Sequence, residues 1–380
     1  MTPSMPRALR LRLASVLFLA AFSTAHAATV PHPTSTIHVA NNGIDAPLCG
    51  LPQTLPCRSI TQAVKNAGNG DHIVVGPGIY GDLSDDGTIG QTGEEAGAPG
   101  CGCVLAINKG VIVTSTDGAA STVINAHNVD VIQNVLVIGN GAEFGRPSQG
   151  FTVTNTREQS IANSGIVIDA TNVKIRGNQV ISVFTTVTVL NPLTQQPERL
   201  PVRGSVGIGV VNSTETILIE ANQVIGWSTG IHVEGAGKMV IGNQVSLNDT
   251  GILADGDNNI AGNGVIANEF GMILDGLVEA SGNALIGNEG PGVEIDTTNN
   301  VVVQKNNIFG NDAQDLTGTG RACGVVYDGA TTLLASHNFW GSSNGPGPHP
   351  GDNVCNLNSG TIISTPFAAK PFVVNAPIRP

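Results

Sequence analysis

The sequence repeats one short phrase between residues 165 and 328: glycine, an apolar residue, any residue, an apolar residue and an acidic residue. The copies are GIVID (165–169), GIHVE (230–234), GILAD (251–255), GMILD (271–275), GVEID (292–296) and GVVYD (324–328), with GIGVV (207–211) as a weaker seventh. The first glycines of the four middle copies lie 21, 20 and 21 residues apart. A fixed period near twenty is typical of a solenoid, whose units bury their apolar faces only by stacking. The sequence therefore predicts a rod of stacked turns.

Each repeat contains three apolar segments, for example 230–234, 238–242 and 244–247. Asn recurs at two of the corners between segments, and we expect it to adopt the left-handed backbone there and to hydrogen-bond along the rod. The second-corner residues are Asn178, Asn222, Asn243, Asn263, Asn283 and Asn306, and the third-corner residues are Asn248, Asn268, Asn288 and Asn311. Three short parallel strands per turn predict an all-β, right-handed parallel β-helix of about ten turns. The leucine pattern of a horseshoe and the blade length of a propeller are both missing.

The chain is predicted to have four parts. Residues 1–27 resemble a secretory signal, with three arginines, an apolar run and a small-residue cleavage site, so a secreted or periplasmic location is expected. Residues 28–70 are expected to form an N-terminal cap whose helix, at 58–67, has Ser59 as its N-cap and covers the first turn. Residues 71–345 would form the β-helix, and 346–380 an irregular tail. No later apolar stretch is long enough to span a membrane.

All six cysteines follow the predicted signal, and an even count in an exported chain favours disulfides. The bridges Cys49–Cys57 and Cys323–Cys355 are predicted, because each pair would close one local loop at one end of the rod. For Cys101 and Cys103, which are separated by one glycine, the sequence leaves both a strained bridge and a metal site open.

Charge narrows the range of partners. Without the signal the chain has 14 basic and 29 acidic residues, a net charge of −15. This argues against nucleic acid, which needs a basic surface, and is compatible with divalent cations. We expect a monomer.

Longer phrases suggest a family. PCRSITQAVKNAGNGDHIVVGPGIY (56–80), the repeats and NFWGSSNGPG (338–347) resemble the pectin-lyase-like superfamily, and within it exported bacterial proteins built of parallel β-helix repeats. The resemblance covers nearly all of the chain after the signal. It implies that a polysaccharide lies along the first strand of each turn. It also implies calcium held by carboxylates of adjacent turns, as in related pectate lyases.

The repeated phrase supplies such carboxylates. Strand alternation points its acidic residue outwards, in one column of Asp169, Glu234, Asp255, Asp275, Asp296 and Asp328. Carboxylates about 4.8 Å apart repel by roughly 1 kcal/mol in water, which a hard cation would offset. We therefore expect calcium at Asp169, Glu234, Asp255, Asp275 and Asp296. The alternative is that these acids only form turns at the corners.

Further candidates surround this face. His232, beside Glu234 and Asp255, is a candidate general acid or base because a carboxylate raises the pKa of an imidazole. Glu294 points outwards on the same face and is a candidate for binding substrate. Trp227 at a third corner is a candidate for stacking on a sugar, and Trp340 is expected to be a packing residue. The insertion at 184–204 is expected to bring Arg199 and Arg203 near Asp169 and Glu234, where guanidinium groups would suit uronic acids. The alternative for this insertion is a loop held by surface ion pairs.

These features lead to one functional hypothesis and its alternatives. The chain is expected to bind acidic polysaccharide and, if it is an enzyme, to act on uronate chains by calcium-assisted β-elimination. Asp169, Glu234 and Asp255 would hold the calcium, and Arg203 or Arg199 would accept the proton from C5. The alternatives are a non-enzymatic adhesion or scaffold rod and a maturation factor for a metalloenzyme. The Trp-x-Asp-His motif of pectate lyases and the Gly-His-Gly of polygalacturonases are missing.

Overall fold

The computed structural model describes residues 34–127, 129, 132–154, 163–183, 185–190, 197–295, 301–312, 322–347 and 351–374, with the backbone alone for 185–190 and 197–202. The predicted signal peptide and Asp296 lie outside the described residues, so both predictions stay untested.

Three long parallel sheets run side by side along the described chain. Sheet I holds the repeated phrase and has the strands Cys103–Ile107, Gln133–Val137, Ser164–Ile168, Val206–Val210, Thr229–Val233, Thr250–Asp255, Phe270–Asp275, Val293–Ile295, Cys323–Tyr327 and Asn353–Asn356. Sheet II has Thr36–Val39, His72–Val75, Ile112–Ser115, Glu143–Phe144, Lys174–Arg176, Ile217–Glu220, Lys238–Ile241, Asn258–Ala261, Val278–Ser281, Val302–Gln304, Thr332–Leu334 and Thr361–Ile363. Sheet III has Gly78–Gly81, Thr122–Asn125, Thr152–Thr154, Gln179–Ile181, Gln223–Ile225, Gln244–Ser246, Gly264–Ile266, Ala284–Ile286 and Asn307–Phe309.

The chain visits the three sheets in the order I, II, III and pairs each strand with its counterpart one turn later. Ile231 pairs with Ile252 in sheet I, and Val245 pairs with Val265 in sheet III. The apolar residues of each phrase point inwards and are fully buried, as at Ile231 and Val233. This confirms the predicted parallel β-helix, and the ten strands described in sheet I agree with the predicted number of turns. The tail at 346–380, predicted to be irregular, adds one strand each to sheets I and II.

The corner asparagines form two continuous ladders. Asn222 donates from its backbone N and its Nδ2 to Oδ1 of Asn243 (2.9 and 3.0 Å), and Asn243 does the same to Asn263. The predicted bonding along the rod is therefore confirmed. The predicted backbone is wrong, because the left-handed residue is the one before each Asn, such as Ala221 (φ 55°) and Gly242 (φ 63°). The Asn itself turns inwards and is buried, since its amide must reach the next turn.

The third-corner ladder ends on a carboxylate. It runs through Asn248, Asn268 and Asn288 to Asn311, whose Nδ2 donates to Oδ2 of Asp352 (2.8 Å). Burial raises the pKa of Asp352 to about 6, although three hydrogen bonds from Asn311 and Gly310 oppose this shift. The sequence contained no signal for this buried acid.

The predicted helix is found at Ile60–Asn66, where Ser59 Oγ accepts the N–H of Gln62. It packs against the first strands of sheets I and II, and its role as a cap stays a prediction. A buried carboxylate from the loop at 81–100 also meets its first turn: Glu95 accepts the N–H groups of Ile60 and Thr61, both at 2.7 Å. Burial raises the pKa of Glu95 to about 6.

The structure contains three disulfides. Cys49–Cys57 and Cys323–Cys355 are both formed as predicted. Cys101 and Cys103 are also bridged, so the metal alternative for this pair is wrong: both sulfur atoms are used in the bond.

The insertion at 184–204 forms an antiparallel hairpin of strands Thr185–Leu190 and Pro197–Val202. Its base is closed where Gly204 N donates to Ser182 Oγ (2.9 Å). The turns on either side keep their register across it, since Val167 pairs with Gly209 and Gln179 with Gln223. None of the described helices has the length and apolar character needed to cross a membrane.

Candidate functional site

The outer face of sheet I, where the sequence placed the site, is mainly apolar in its central row. Paired residues along this row are Val167, Gly209, His232, Leu253, Ile273, Glu294 and Val326. His232 and Glu294 are three turns apart, about 14 Å at the spacing of β-strands. One small chemical group therefore cannot contact both. His232 instead lies beside its own strand neighbour, with Nε2 at 3.3 Å from Oε1 of Glu234.

The acidic column lies at the corner between sheets I and II, and its described members are exposed. Asp255 and Asp275 pair directly, and Glu234 is one turn before Asp255. Asp169 is separated from Glu234 by the turn that carries Val211. Within the described ranges, no group of three or more His, Cys, Asp or Glu residues could hold a metal ion. Asp296 lies outside the described residues, so the calcium expected from the sequence stays a prediction, and we assign no chemistry to it.

The two arginines of the insertion are not brought together by described contacts. Arg203 Nη1 forms an ion pair with Asp249 Oδ1 (2.9 Å) and donates to the carbonyl of Leu247 (2.8 Å). These partners belong to the corner between sheets III and I, a strand length of about 16 Å from the column at the other corner. The structure thus separates two groups that the sequence analysis placed side by side. Arg199 lies on the hairpin, opposite Thr188, and its side chain is outside the described part.

Trp227 is not a sugar-stacking residue in this structure, and that prediction is wrong. Its side chain is fully buried, and its Nε1 donates to the carbonyl of Val180 (3.1 Å). The ring fills the space that side chains at Gly204 and Gly207 would need. Trp340 is also fully buried, which confirms its predicted role in packing.

The outer side of sheet III has a groove that sequence analysis missed. Gln179, Gln223 and Gln244 pair in adjacent turns and point outwards, each half-buried. They line a groove of about 520 Å³ together with Asp117, Gly118, Ala119, Ala120, Ser148, Gly177, Asn178, Ala221 and Asn222. We call it the amide groove. It crosses five turns, about 19 Å along the rod.

Small corner residues help to keep the amide groove open. Gly177 and Ala221, which line it, have φ values of 66° and 55° and carry no side chain and a single methyl group respectively. The neighbouring Asn side chains turn inwards into the ladder and so do not fill the groove. In the next two turns Gly264 and then Ala284 replace the glutamine, which ends the row of amides.

The amide groove is lined by polar and apolar residues in similar measure and is nearly uncharged. Among the described residues that line it, Asp117 is the one with a charge. Each glutamine amide can donate and accept hydrogen bonds. At the end of the row, Thr152 Oγ1 lies 3.3 Å from Gln179 Oε1. The site can therefore bind a ligand that offers many donors and acceptors without a full charge.

A signal for the groove was present in the sequence. The phrase Asn-Gln-Val occurs at 178–180, 222–224 and 243–245, and it gives way to Asn-Gly-Val at 263–265. Because this glutamine directly follows the periodic corner asparagine, its recurrence indicates a row of amides on the surface.

Other acidic residues missed by the sequence analysis serve the structure of the loop at 81–100. Asp82 is fully buried and accepts the N–H groups of Asp85 and Gly87 at 2.8 and 2.9 Å. Glu94 accepts those of Leu83 and Ser84, both at 3.1 Å. Because these oxygens are bound to backbone amides, the loop is organised by its own carboxylates.

Comparison with known proteins agrees with this architecture. Residues 206–355 match the family described as right handed beta helix region. The structure is similar to pectate lyase Pel9A, with a TM-score of 0.50 at 14% identity over 89% of this chain and 80% of the lyase. It is less similar to the enzymatically active domain of tailspike protein 2 of bacteriophage CBA120, with a TM-score of 0.45 at 10% identity over 81% and 43% of the two chains. For GH136 lacto-N-biosidase from Eubacterium ramulus the TM-score is 0.41 at 11% identity, over 87% of this chain and 68% of that enzyme.

No curated protein matches the chain in sequence. The chain has a right-handed parallel β-helix fold. At these levels of identity, the likeness defines the fold, and a function must be argued from the site.

Proposed function

We propose that this protein binds polysaccharide and that the glycan chain lies along the amide groove. The observation that carries the proposal is the row of Gln179, Gln223 and Gln244, one amide per turn in an open groove. Sugar hydroxyls both donate and accept hydrogen bonds, which matches side-chain amides better than it matches a row of like charges. The fold adds support, since pectate lyase Pel9A shares it.

The charge of the protein favours a neutral glycan over an acidic one. With the predicted signal removed, the chain has 14 basic and 29 acidic residues, so a polyuronate would be repelled unless cations screened it. The acidic polysaccharide expected from the sequence would need the acidic column and calcium, both of which are proposals. β-Elimination by Arg203 is not supported by its described contacts, because its guanidinium is paired with Asp249.

The proposal is tested by measuring the affinity of purified protein for neutral polymers, such as glucans, galactomannans and chitin oligosaccharides, and for pectate and alginate. Each polymer is tested with calcium and with a chelator. We expect binding to a neutral polymer that is independent of calcium. Gln223→Ala removes one or two uncharged hydrogen bonds, so it should weaken binding about tenfold. Asn259→Ala removes an exposed amide from sheet II and is the matched control, with no expected change.

Two results would contradict the amide groove. Wild-type affinity in Gln223→Ala and in the double variant Gln179→Ala/Gln223→Ala would place the glycan elsewhere. Calcium-dependent binding to pectate that is lost in Asp255→Asn/Asp275→Asn would transfer the function to the acidic column. Formation of unsaturated uronate, followed by ultraviolet absorbance, would establish a lyase. No binding to any polymer would favour the adhesion or scaffold rod.

Export is part of the proposal. Three disulfides are more stable in an oxidising compartment than in the cytosol, and the predicted signal agrees with this. Determination of the mature N-terminus in the exporting cell tests it, with Ala28 expected as the first residue.

A further inference from the structure

The bridge between Cys101 and Cys103 differs from the other two disulfides in how little chain it encloses. The two cysteines are two positions apart, whereas the other bridges join cysteines 8 and 32 positions apart. The stabilisation that a disulfide gains by restricting the unfolded chain grows with the length of the loop. This bridge is therefore the least effective of the three as a structural staple.

The two sulfur-bearing residues are unequally accessible. Cys103 begins the first strand of sheet I and is only 2% exposed. Cys101 precedes that strand and is half-buried, so it is the more exposed of the two cysteines to a thiol from another molecule. A partly exposed cysteine next to a buried one is an arrangement in which the first can exchange and the second can resolve.

The surroundings favour a thiolate at Cys101. The backbone N–H of Ala98 points to Cys101 Sγ at 3.2 Å. A hydrogen bond to a sulfur stabilises its negative charge, and so makes it a better leaving group in thiol–disulfide exchange.

The loop is also held on both sides without the bridge. Gln133 Nε2 donates to the carbonyl of Cys101 (2.8 Å), and Ile132 N donates to that of Gly102 (2.8 Å). On the other side, Gly97 N donates to the carbonyl of Val104 (2.9 Å). Reduction should therefore leave the two thiols close together, ready to form the bond again.

A cleft adjoins this loop and offers room for a substrate. Its volume is about 220 Å³, and Gly97, Ala98 and Pro99 form one wall. The helix forms the opposite wall through Thr61 and Val64. A segment of another protein seated there would lie next to the residues that precede Cys101.

We propose that Cys101 and Cys103 form a thiol–disulfide exchange site whose substrate is a protein dithiol. A substrate thiolate attacks Cys101 Sγ, and the electron pair of the broken S–S bond passes to Cys103 Sγ, which takes up a proton. The second substrate thiolate then attacks the substrate sulfur of the mixed disulfide and releases Cys101 as a thiolate beside the Ala98 N–H. In total the substrate passes two electrons to the protein and loses two protons, one taken up by Cys103 and one released to the solvent, and it leaves as a disulfide.

The first test titrates the full oxidised protein with dithiothreitol, traps free thiols with an alkylating agent and maps each cysteine by mass spectrometry. We expect Cys101 and Cys103 to be half reduced at a dithiothreitol concentration at least about tenfold below that needed for the other two pairs. Circular dichroism should show an intact fold at that point. Reduction of all three pairs together, or of this pair last, would overturn the proposal.

The second test mixes the oxidised protein with a peptide that contains two cysteines. The expected result is one equivalent of peptide disulfide and one of reduced Cys101 and Cys103. Cys101→Ser/Cys103→Ser should abolish the transfer while its thermal melting curve stays that of the folded protein, which separates exchange from folding. If the peptide is not oxidised although the pair is reduced first, exchange with a protein dithiol is wrong.

Discussion

At the scale of single residues, the left-handed corner positions determine which side chains the rod presents. Among the third corners these positions are occupied by Leu247, Ala267, Gly287 and Gly310, with φ between 56° and 72°. Sequence analysis predicted a special backbone at these corners but assigned it to the asparagine one position later. The error has a physical cause: Asn tolerates this backbone, yet here its amide is needed inside the ladder.

Leu247 gives a prediction at this scale. It is 51% exposed and has a φ of 59°, so its side chain gains little from burial while its backbone is strained. Leu247→Gly should raise the free energy of unfolding by about 0.5–1 kcal/mol, because the relieved strain exceeds the entropy cost of glycine. Denaturant unfolding measures the change.

The matched control is Ser246→Gly, one position earlier within a strand of sheet III. There the backbone is extended, so glycine should lower stability by a similar amount. A lower stability for Leu247→Gly would contradict the assignment of strain to this corner.

At the scale of elements, the asparagine ladders join turns that the sheets already pair. Each internal amide accepts two N–H groups from the previous turn and donates to a carbonyl, as Asn243 does to Ile219. The sequence could predict this bonding because the asparagines recur with the period of the turns. It could not predict that Asp352 would end one ladder, since a single acid in the tail carries no periodic signal.

Asp352 makes the stability of the last turns depend on pH. Its pKa in the folded state is raised from 3.8 to about 6, so folding favours the protonated form. The unfolded chain binds fewer protons between these values, and stability therefore falls as pH rises from about 4 to about 6 and is level above that. Asp352→Asn should remove about 3 kcal/mol of this pH dependence.

The measurement is the free energy of chemical unfolding of wild type and of Asp352→Asn at a series of pH values. The difference between the two proteins is then plotted against pH. Asp328→Asn changes an exposed carboxylate and serves as the control. A difference curve that is flat between pH 4 and 6 would show that Asp352 is not the buried group described here.

At the scale of the whole molecule, each turn is stabilised mainly by its contacts with the two neighbouring turns. The fold was predictable because the repeated phrase and its period define stacked turns. The early strands Cys103–Ile107 and Gln133–Val137 join the same sheet without the phrase, so the repeat period does not locate them. The site was less predictable, because the side chains at outward positions such as Gln223 are not constrained by packing.

The bridge between Cys323 and Cys355 should hold the last turns of the rod. It joins two adjacent strands of sheet I and encloses a loop whose entropy is worth about 3–4 kcal/mol in the chain-entropy model. Cys323→Ser/Cys355→Ser should therefore loosen the C-terminal turns first, since repeats depend mainly on their neighbours.

Hydrogen exchange followed by mass spectrometry gives the local result. Protection should decrease at Cys323–Tyr327 and stay unchanged at Thr229–Val233, four turns away. The bridge between Cys101 and Cys103 encloses almost no chain, so Cys101→Ser/Cys103→Ser should leave both segments protected. An equal loss throughout the rod would mean that it unfolds as one cooperative unit.

The hairpin of Thr185–Leu190 and Pro197–Val202 leaves the turns before and after it in register. The hairpin therefore lies outside the stacked strands, whose pairing continues from the turn before it to the turn after it. The consequence concerns how such proteins diversify: this position is a graft point, where one loop can be exchanged for another while the ladders and the core stay the same. Recognition on such a rod can therefore change by recombination of whole loops rather than by gradual substitution of the turns.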